Sequence, residues 1–321
     1  MRIGTRSSAM ALAQTDDIAA AYRRAHPGAE MDIVRFSPRG DRDQISKLDR
    51  HGGKGGAFVA EIRDAMREAR LDAAMHSLKD MPGDEEAPGL VIGAYMPREA
   101  VEDALVLRKG LDVENFAGAG GDGFKIGTNS VRRAAYLKRL YPAAEVIHYR
   151  GAADTRIKKL DERAMQRLPD GGEVGPADAL VMAAAGLQRV GLAHRIIHRF
   201  SIDEMLPAVG QGIVAVECRR ADYDAHKSLA AIDDAQARIA AEAEREMLWV
   251  LNGHCNTPIA GYAQEQGGEI ELRGAVIEPD GGHIIEANAA GPADRPREVG
   301  RTVGLALLAQ GAAEIIEASR P

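Results

Sequence analysis

A chain of 321 residues, 45% hydrophobic and 28% charged, is long enough for two or three globular domains, each with its own core. Its formal charge of −7 excludes a general nucleic-acid binder, since affinity for phosphate backbones comes from clustered positive charge, and no run approaches the roughly 18 apolar residues of a membrane span. Two cysteines cannot form a disulfide framework, and no Cys/His spacing suggests a metal.

The N-terminus enters a strand directly, Ile3 to Thr5, without the apolar core of an export signal, so the expected compartment is the cytoplasm. A helix follows around Ser8 to His26, then a strand from Asp32 to Phe36. Residues 37–56, rich in glycine and charge and without periodicity, read either as a mobile lid containing Arg39, Asp41 and Lys54 or as plain surface disorder. Phe58, Ile62, Ala65, Met66 and Ala69 form an apolar stripe at helical spacing. Ala73 to His76, Leu90 to Tyr95 and Ala104 to Leu107 read as strands.

After the glycine-rich turn Ala117 to Gly123 the pattern restarts with strand Phe124 to Gly127, helix Val131 to Tyr141, strand Glu145 to His148 and helix Ala152 to Leu168. The restart predicts two α/β lobes. Residues 162–177 read as a surface insertion. Beyond the apolar strand Ile213 to Cys218 come a helix from about Asp234 to Leu251, strands near Ile259 to Gln264, Glu269 to Ile277 and His283 to Ala290, and a terminal helix near Pro296 to Ala318. These predict a separate α+β domain with a small antiparallel sheet.

Several segments are polar where a core would be apolar. Met75 to Pro82 follows a strand end, where open α/β sheets present ligand-binding groups. Asp80, beside Lys79, should stay ionised and can stabilise a cation or accept a proton; the alternative is that it closes a turn before Pro82. Ile126 to Ala134 runs through Thr128, Asn129 and Ser130 into a helix whose first turn holds Arg132 and Arg133. The helix dipole disfavours cations there, so a bound carboxylate or phosphate accounts for them better than helix stability does, with a solvated face as the alternative. Arg150 to Arg156 repeats that logic at the next junction, and Arg6 and Ser8 lie at the first. Leu206 to Gly212 is a glycine-framed polar turn. Cys218 lies in an apolar strand and is expected to be buried and inert, whereas Cys255 sits on a glycine-flanked polar turn after a long helix and reads as an accessible thiol.

His76 to Pro82, Gly127 to Arg133, Leu206 to Gly212 with Glu217 to Arg219, and Gly253 to Pro258 resemble, in order and spacing, the signature segments of the porphobilinogen deaminase family, and the resemblance covers nearly the whole chain. It implies a transferase of tetrapyrrole and haem biosynthesis. Such an enzyme joins four porphobilinogen molecules head to tail, releasing ammonia at each step and finally freeing hydroxymethylbilane by hydrolysis. The chain grows on a dipyrromethane primer held by a thioether, and Cys255 matches the cysteine that carries it. Asp80 matches the catalytic aspartate, and Lys79 beside it is the second catalytic candidate. Arg6, Arg132, Arg133, Arg150 and Arg156 match positions that hold the acetate and propionate groups. Ser8, Ser77, Lys79, Thr128 and Ser130 are their hydrogen-bonding partners, with Gly151 and Gln211 in the same cofactor-binding segments.

By resemblance the fold is two periplasmic-binding-protein-like lobes, residues 1–97 with 206–228 and residues 98–205, plus a C-terminal domain, 229–321, that carries Cys255. The implied enzyme is a cytoplasmic monomer whose partner is its small-molecule substrate, with no nucleic acid, membrane or metal. Three features depart from the family pattern. The Gly52 to Glu61 segment has one extra residue, with Ala60 in place of a lysine; Ala152 replaces a common asparagine; and the 162–177 loop is long. The competing reading from the same architecture is a non-catalytic binder of small anions, or a paralogue that binds pyrroles without joining them; Cys255 and Asp80 discriminate against the first.

Overall fold

A computed structural model of the chain describes residues 1–36, 59–83, 87–168, 170–253 and 257–319. Cys255, Phe58 and the segment 37–56 with Arg39, Asp41 and Lys54 lie outside the described residues. The first part runs β1 (Arg2–Arg6), α1 (Ala9–Ala25), β2 (Asp32–Phe36), α2 (Ala60–Arg67), β3 (Ala73–Ser77) and β4 (Leu90–Tyr95). The chain then builds β5 (Asp103–Leu107), α3 (Val113–Gly118), β6 (Lys125–Thr128), α4 (Val131–Leu140), β7 (Glu145–His148), α5 (Ala153–Asp161), the short strands β8 (Gln166–Arg167) and β9 (Glu173–Val174), β10 (Ala179–Ala183), α6 (Ala184–Arg189) and β11 (His198–Arg199). It crosses back for β12 (Val214–Arg219) and α7 (Tyr223–Ala230). It finishes with α8 (Ala235–Val250), β13 (Ile259–Gln266), β14 (Glu269–Ile277), β15 (Ile284–Pro292), α9 (Pro296–Ala309) and α10 (Ala312–Ala318).

The first sheet has the order β2-β1-β3-β12-β4 and the second, read from its far edge, β7-β6-β10-β5-β11. In each, three parallel strands are followed by one that is antiparallel to both its neighbours. The two lobes are therefore built alike, and β13 to β15 form a separate antiparallel sheet. Each lobe's antiparallel strand directly follows a crossing from the other lobe, so the two crossings, near residues 96–102 and 200–213, lie side by side.

Core burial explains the strand sequences. In β5 and β10, Leu105, Leu107, Ala179 and Val181 join one apolar cluster while Ala104, Val106, Leu180 and Met182 join another. Both faces of the sheet are covered, and a strand buried on both faces reads as a continuous apolar run without alternation. The C-terminal sheet buries Leu272, Val276 and Ile285 against Met247 of α8 and Val303 and Leu307 of α9.

Some expected boundaries move. The helix expected from Ala152 to Leu168 ends at Asp161; just beyond it Arg163 turns left-handed, at φ +56, which breaks the helix, and the chain forms the β8–β9 hairpin. The expected terminal helix is two helices bent by 80°, broken where Gly311 adopts φ +96. The turn expected from Ala117 is preceded by α3, whose N-terminus the Asp112 carboxylate caps and whose Phe116 is buried.

Candidate active site

At the C-terminal ends of β1 and β3 the chain opens a pocket lined by Arg6, Ser8, Gln14, His76, Ser77 and Asp80, among others. Strand ends of an open α/β sheet are free of further pairing, so the polar loops there can face a ligand. Ser8 is the N-cap of α1, its hydroxyl accepting from the Ala11 N–H at 3.3 Å. A hydroxyl that accepts one N–H still has its own proton to donate. Ser77 exchanges hydrogen bonds with the Gln14 amide at 3.1 and 3.2 Å, which ties the end of β3 to α1. Asp80 closes a 3-10 turn, Leu78 to Asp80, and is exposed.

Beneath Asp80 lies a network that crosses between the lobes. Half-buried Lys79 donates from Nζ to Gln211 Oε1 at 3.1 Å, and fully buried Gln211 donates to Asp103 Oδ1 at 3.0 Å and to the Val101 carbonyl. Gln211 sits between Gly210 and Gly212, at φ +74 and +84; both are left-handed, and a β-carbon on Gly212 would also fall 2.6 Å from the Glu99 carbonyl oxygen. The Gly-Gln-Gly segment, a weak signal in sequence, is the turn that delivers an amide into the crossing.

Arg132 and Arg133 occupy the first turn of α4, behind the Ser130 N-cap. Their guanidinium groups turn inward. Arg132 donates to Asp103 Oδ2 at 2.5 Å and to the Leu206 carbonyl at 2.8 Å; Arg133 donates to Asp103 Oδ1 through Nε at 3.0 Å and Nη2 at 2.7 Å. The anion that explains two arginines at a helix start is thus, at least in part, the protein's own Asp103, the first residue of β5. Burial alone would raise the Asp103 carboxyl, but the charges and hydrogen bonds of the two arginines overcome it and hold it well below the usual carboxylate range. Arg132 Nε is buried with no hydrogen-bond partner among the described residues.

Positive charge is in excess around this floor. Burial, and next the charge of Arg133, pull the Lys79 ammonium down to about 8, against the opposing pull of Asp80 and Asp103. The same two causes pull Arg156 down to about 10. Its Nε is also buried without a hydrogen-bond partner among the described residues. Among the described residues four cations, Lys79, Arg132, Arg133 and Arg156, act on this floor against two carboxylates, Asp80 and Asp103, and cations that depress one another's protonation are relieved by a bound anion.

Of the remaining expected residues, Thr128 ends β6, and Arg150 and Gly151 follow the end of β7. Thr128 is buried and its hydroxyl accepts from the Ser130 N–H at 3.2 Å. Arg150 is buried; its backbone N–H donates to Gln166 Oε1 at 3.3 Å, and Gly151 follows at φ +131. Ala152, the N-cap of α5, makes no side-chain cap.

Sequence reasoning missed Asp103, Gln14 and a buried triad behind the pocket. In that triad Arg63 grips Glu217 with Nε and Nη2 at 2.9 to 3.2 Å, and His76 Nε2 lies 3.3 Å from Glu217 Oε2. Burial alone would raise Glu217, but His76 beside it, with the hydrogen bonds and charge of Arg63, holds it at about 2. The one signal available was a lone glutamate inside the apolar strand Ile213 to Cys218. Cys218 is fully buried, and burial pushes its thiol up to about 11, as an inert core cysteine requires.

Residues 1–227 match the family described as porphobilinogen deaminase, dipyromethane cofactor binding domain, and residues 238–309 match the porphobilinogen deaminase C-terminal domain. A porphobilinogen deaminase of Acidithiobacillus ferrooxidans is 42% identical over 317 residues, covering 99% of this chain and 97% of that protein. Porphobilinogen deaminase 2 of Streptomyces coelicolor is 39% identical over 320 residues, covering 99% and 96%. A solved structure of a Bordetella pertussis BvgS VFT2 domain is 14% identical with a TM-score of 0.41, covering 72% of this chain and 85% of that one. With both domain families matched in order and relatives of this similarity along nearly their whole length, the chain belongs to the porphobilinogen deaminase family of transferases and carries that family's dipyrromethane-cofactor-binding domain.

Proposed function

We propose that the protein is a hydroxymethylbilane synthase that condenses four porphobilinogen molecules on a dipyrromethane held by a thioether to Cys255, acting as a cytoplasmic monomer. Residues 1–97 with 206–228 and residues 98–205 form the two lobes, and 229–321 the domain bearing Cys255. The observation that carries the reading is the arrangement of one exposed carboxylate, Asp80, over a floor with more cations than anions.

The donor set fits a dipyrromethane. A substituted pyrrole presents acetate and propionate groups around one ring N–H, which calls for several cationic and hydroxyl donors about a single acceptor. Arg156 Nε and Arg132 Nε, buried without hydrogen-bond partners among the described residues, are the donors that most need such an anion. When bound, the dipyrromethane would supply the terminal pyrrole carbon to which the first substrate is joined, each later substrate being joined to the pyrrole added before it.

The chain's own residues have distinct tasks. Arg6, Arg150 and Arg156 pair with substrate and cofactor carboxylates, while Arg132 and Arg133 set the charge of the floor and offer the donors that Asp103 leaves over. Lys79, Ser8, Ser77, Thr128 and Ser130 donate hydrogen bonds. The Gly151 turn and Gln211 hold the neighbouring backbone and Lys79 in position. Each step breaks the aminomethyl carbon–nitrogen bond of porphobilinogen, releases ammonia, forms a carbon–carbon bond and returns the displaced ring proton to solvent. Asp80 keeps its negative charge against the pyrrole N–H, where positive charge develops on loss of ammonia and again after attack. A site that binds both partners converts a bimolecular coupling into a reaction between positioned groups.

Loss of porphobilinogen, read with Ehrlich's reagent, alongside ammonia release by the purified protein tests the reading. One ammonia per porphobilinogen consumed is expected; binding without consumption would establish the non-catalytic reading instead.

A further inference from the structure

The β8–β9 hairpin reaches back to the Arg150 turn through one side chain. Gln166, the first residue of β8, is 3% exposed, while Met165 before it is 44% exposed. The apolar residue faces solvent and the amide is buried, the reverse of the ordinary preference, so hydrogen bonding rather than apolar burial holds Gln166 inside. Its Oε1 accepts from the Arg150 backbone N–H at 3.3 Å and from Lys159 Nζ at 3.4 Å, and its Nε2 donates to the Arg167 carbonyl at 3.0 Å. Lys159, on α5, also donates to the Arg150 carbonyl at 3.4 Å. Both backbone groups of Arg150 are thus held by side chains that follow it by 9 and 16 positions.

The next two residues give this turn no side-chain support. Gly151 stands at φ +131, and Ala152, where a serine, threonine or asparagine would cap α5, makes no side-chain cap. The hold comes instead from the hairpin, which is itself anchored to the lobe. Val174, opposite Gln166 in the β8–β9 pair, packs against the apolar cluster that contains Ile147, Ile157 and Leu160. Across the base of the hairpin, Arg163 Nη1 donates to Asp178 Oδ1 at 2.5 Å.

We propose that Gln166, together with Lys159, is a positioning residue that fixes the Arg150–Gly151 turn from the hairpin and so sets where the Arg150 guanidinium meets a ligand carboxylate. The proposal rests on the reading of Arg150 as a partner of substrate and cofactor carboxylates given above. Its physical basis is that a binding group keeps its productive geometry only when the residues behind it lock its backbone and rotamer. The hairpin, one of the departures from the family pattern, is then part of the support of the site.

The test is a double-variant cycle. Gln166→Met keeps the length of the side chain and removes its acceptor and donor. Hydrogen exchange at the Arg150 amide should rise while exchange within β10 stays unchanged. In the adduct-bearing variant KM for porphobilinogen should rise by about threefold to tenfold, the net worth of a hydrogen bond, with kcat within about twofold, as when uniform binding is lost. In an Arg150→Lys background the same change should add less than about twofold to KM, because the two residues act through one contact. Gln166→Ala serves if the methionine variant does not fold. A wild-type KM or an unchanged Arg150 amide in Gln166→Met, or an equal rise in KM in the Arg150→Lys background, would overturn the proposal. A wild-type KM in Arg150→Lys alone would instead overturn the carboxylate role of Arg150.

Discussion

Two equivalent junctions, one in each lobe, use the same residue types to different ends. After β1, Arg6 and Ser8 enter α1 and line an open pocket; after β6, Ser130, Arg132 and Arg133 enter α4 and close on Asp103 inside the protein. Both sequences satisfy the description of an anion-binding helix start. The difference lies in what stands opposite. The second lobe's antiparallel strand β5 begins with a carboxylate at the crossing, whereas in the first lobe the pocket itself lies beside the helix start. An arginine pair at a helix start thus announces an anion, and only the tertiary fold says whether that anion belongs to the protein or to its ligand.

Four substitutions or titrations sharpen this contrast. The largest effect is expected on stability at the closed junction. Asp103→Asn leaves two buried guanidinium groups without their counter-charge and should cost about 3 to 5 kcal/mol, measured by denaturant unfolding; a loss under 1 kcal/mol would mean the cluster is not held by charge. At the open site, Asp80→Asn keeps shape and removes charge. It should leave the unfolding midpoint nearly unchanged while kcat falls by about 10² to 10³-fold, as when one electrostatic stabiliser of a transition state is removed. Near-normal turnover would remove Asp80 from the role given it.

Arg6→Gln probes the open junction alone. It should raise KM by about tenfold to a hundredfold, the equivalent of one charge-assisted hydrogen bond, with little change in stability; destabilisation comparable to Asp103→Asn would erase the contrast between the junctions. The smallest effect is a pH limb. Lys79 is charged below about 8, so kcat/KM should decline as pH rises through that value, and Lys79→Arg should move the decline upward. The same depressed value means that the charged lysine opposes folding below pH 8 and that this opposition fades between pH 8 and the ordinary lysine value of 10.5. Lys79→Met should accordingly be slightly more stable than wild type at pH 7 and lose that advantage above pH 10.

The two lobes and the C-terminal sheet were legible because hydrophobic periods of two and 3.6 residues are local signals. The missing central strand β10 was not. Ala179 to Ala183 is covered on both faces and runs into the apolar α6, so neither alternation nor a turn marks it. Within the candidate site, residues on recognisable turns and helix starts, such as Asp80, Lys79, Ser8 and Arg156, could be picked out from sequence. Asp103, Gln14 and Glu217 could not, since each acts through a partner 29 to 154 positions away, and pairing at that separation exists only once the sheets are assembled.

Intact mass spectrometry of the freshly purified protein and of Cys255→Ser tests the central claim most directly. The account predicts that the wild-type chain exceeds its sequence mass by one two-pyrrole adduct and that Cys255→Ser has the bare mass. An active wild-type protein of unmodified mass, or an adduct that persists in Cys255→Ser, would contradict it.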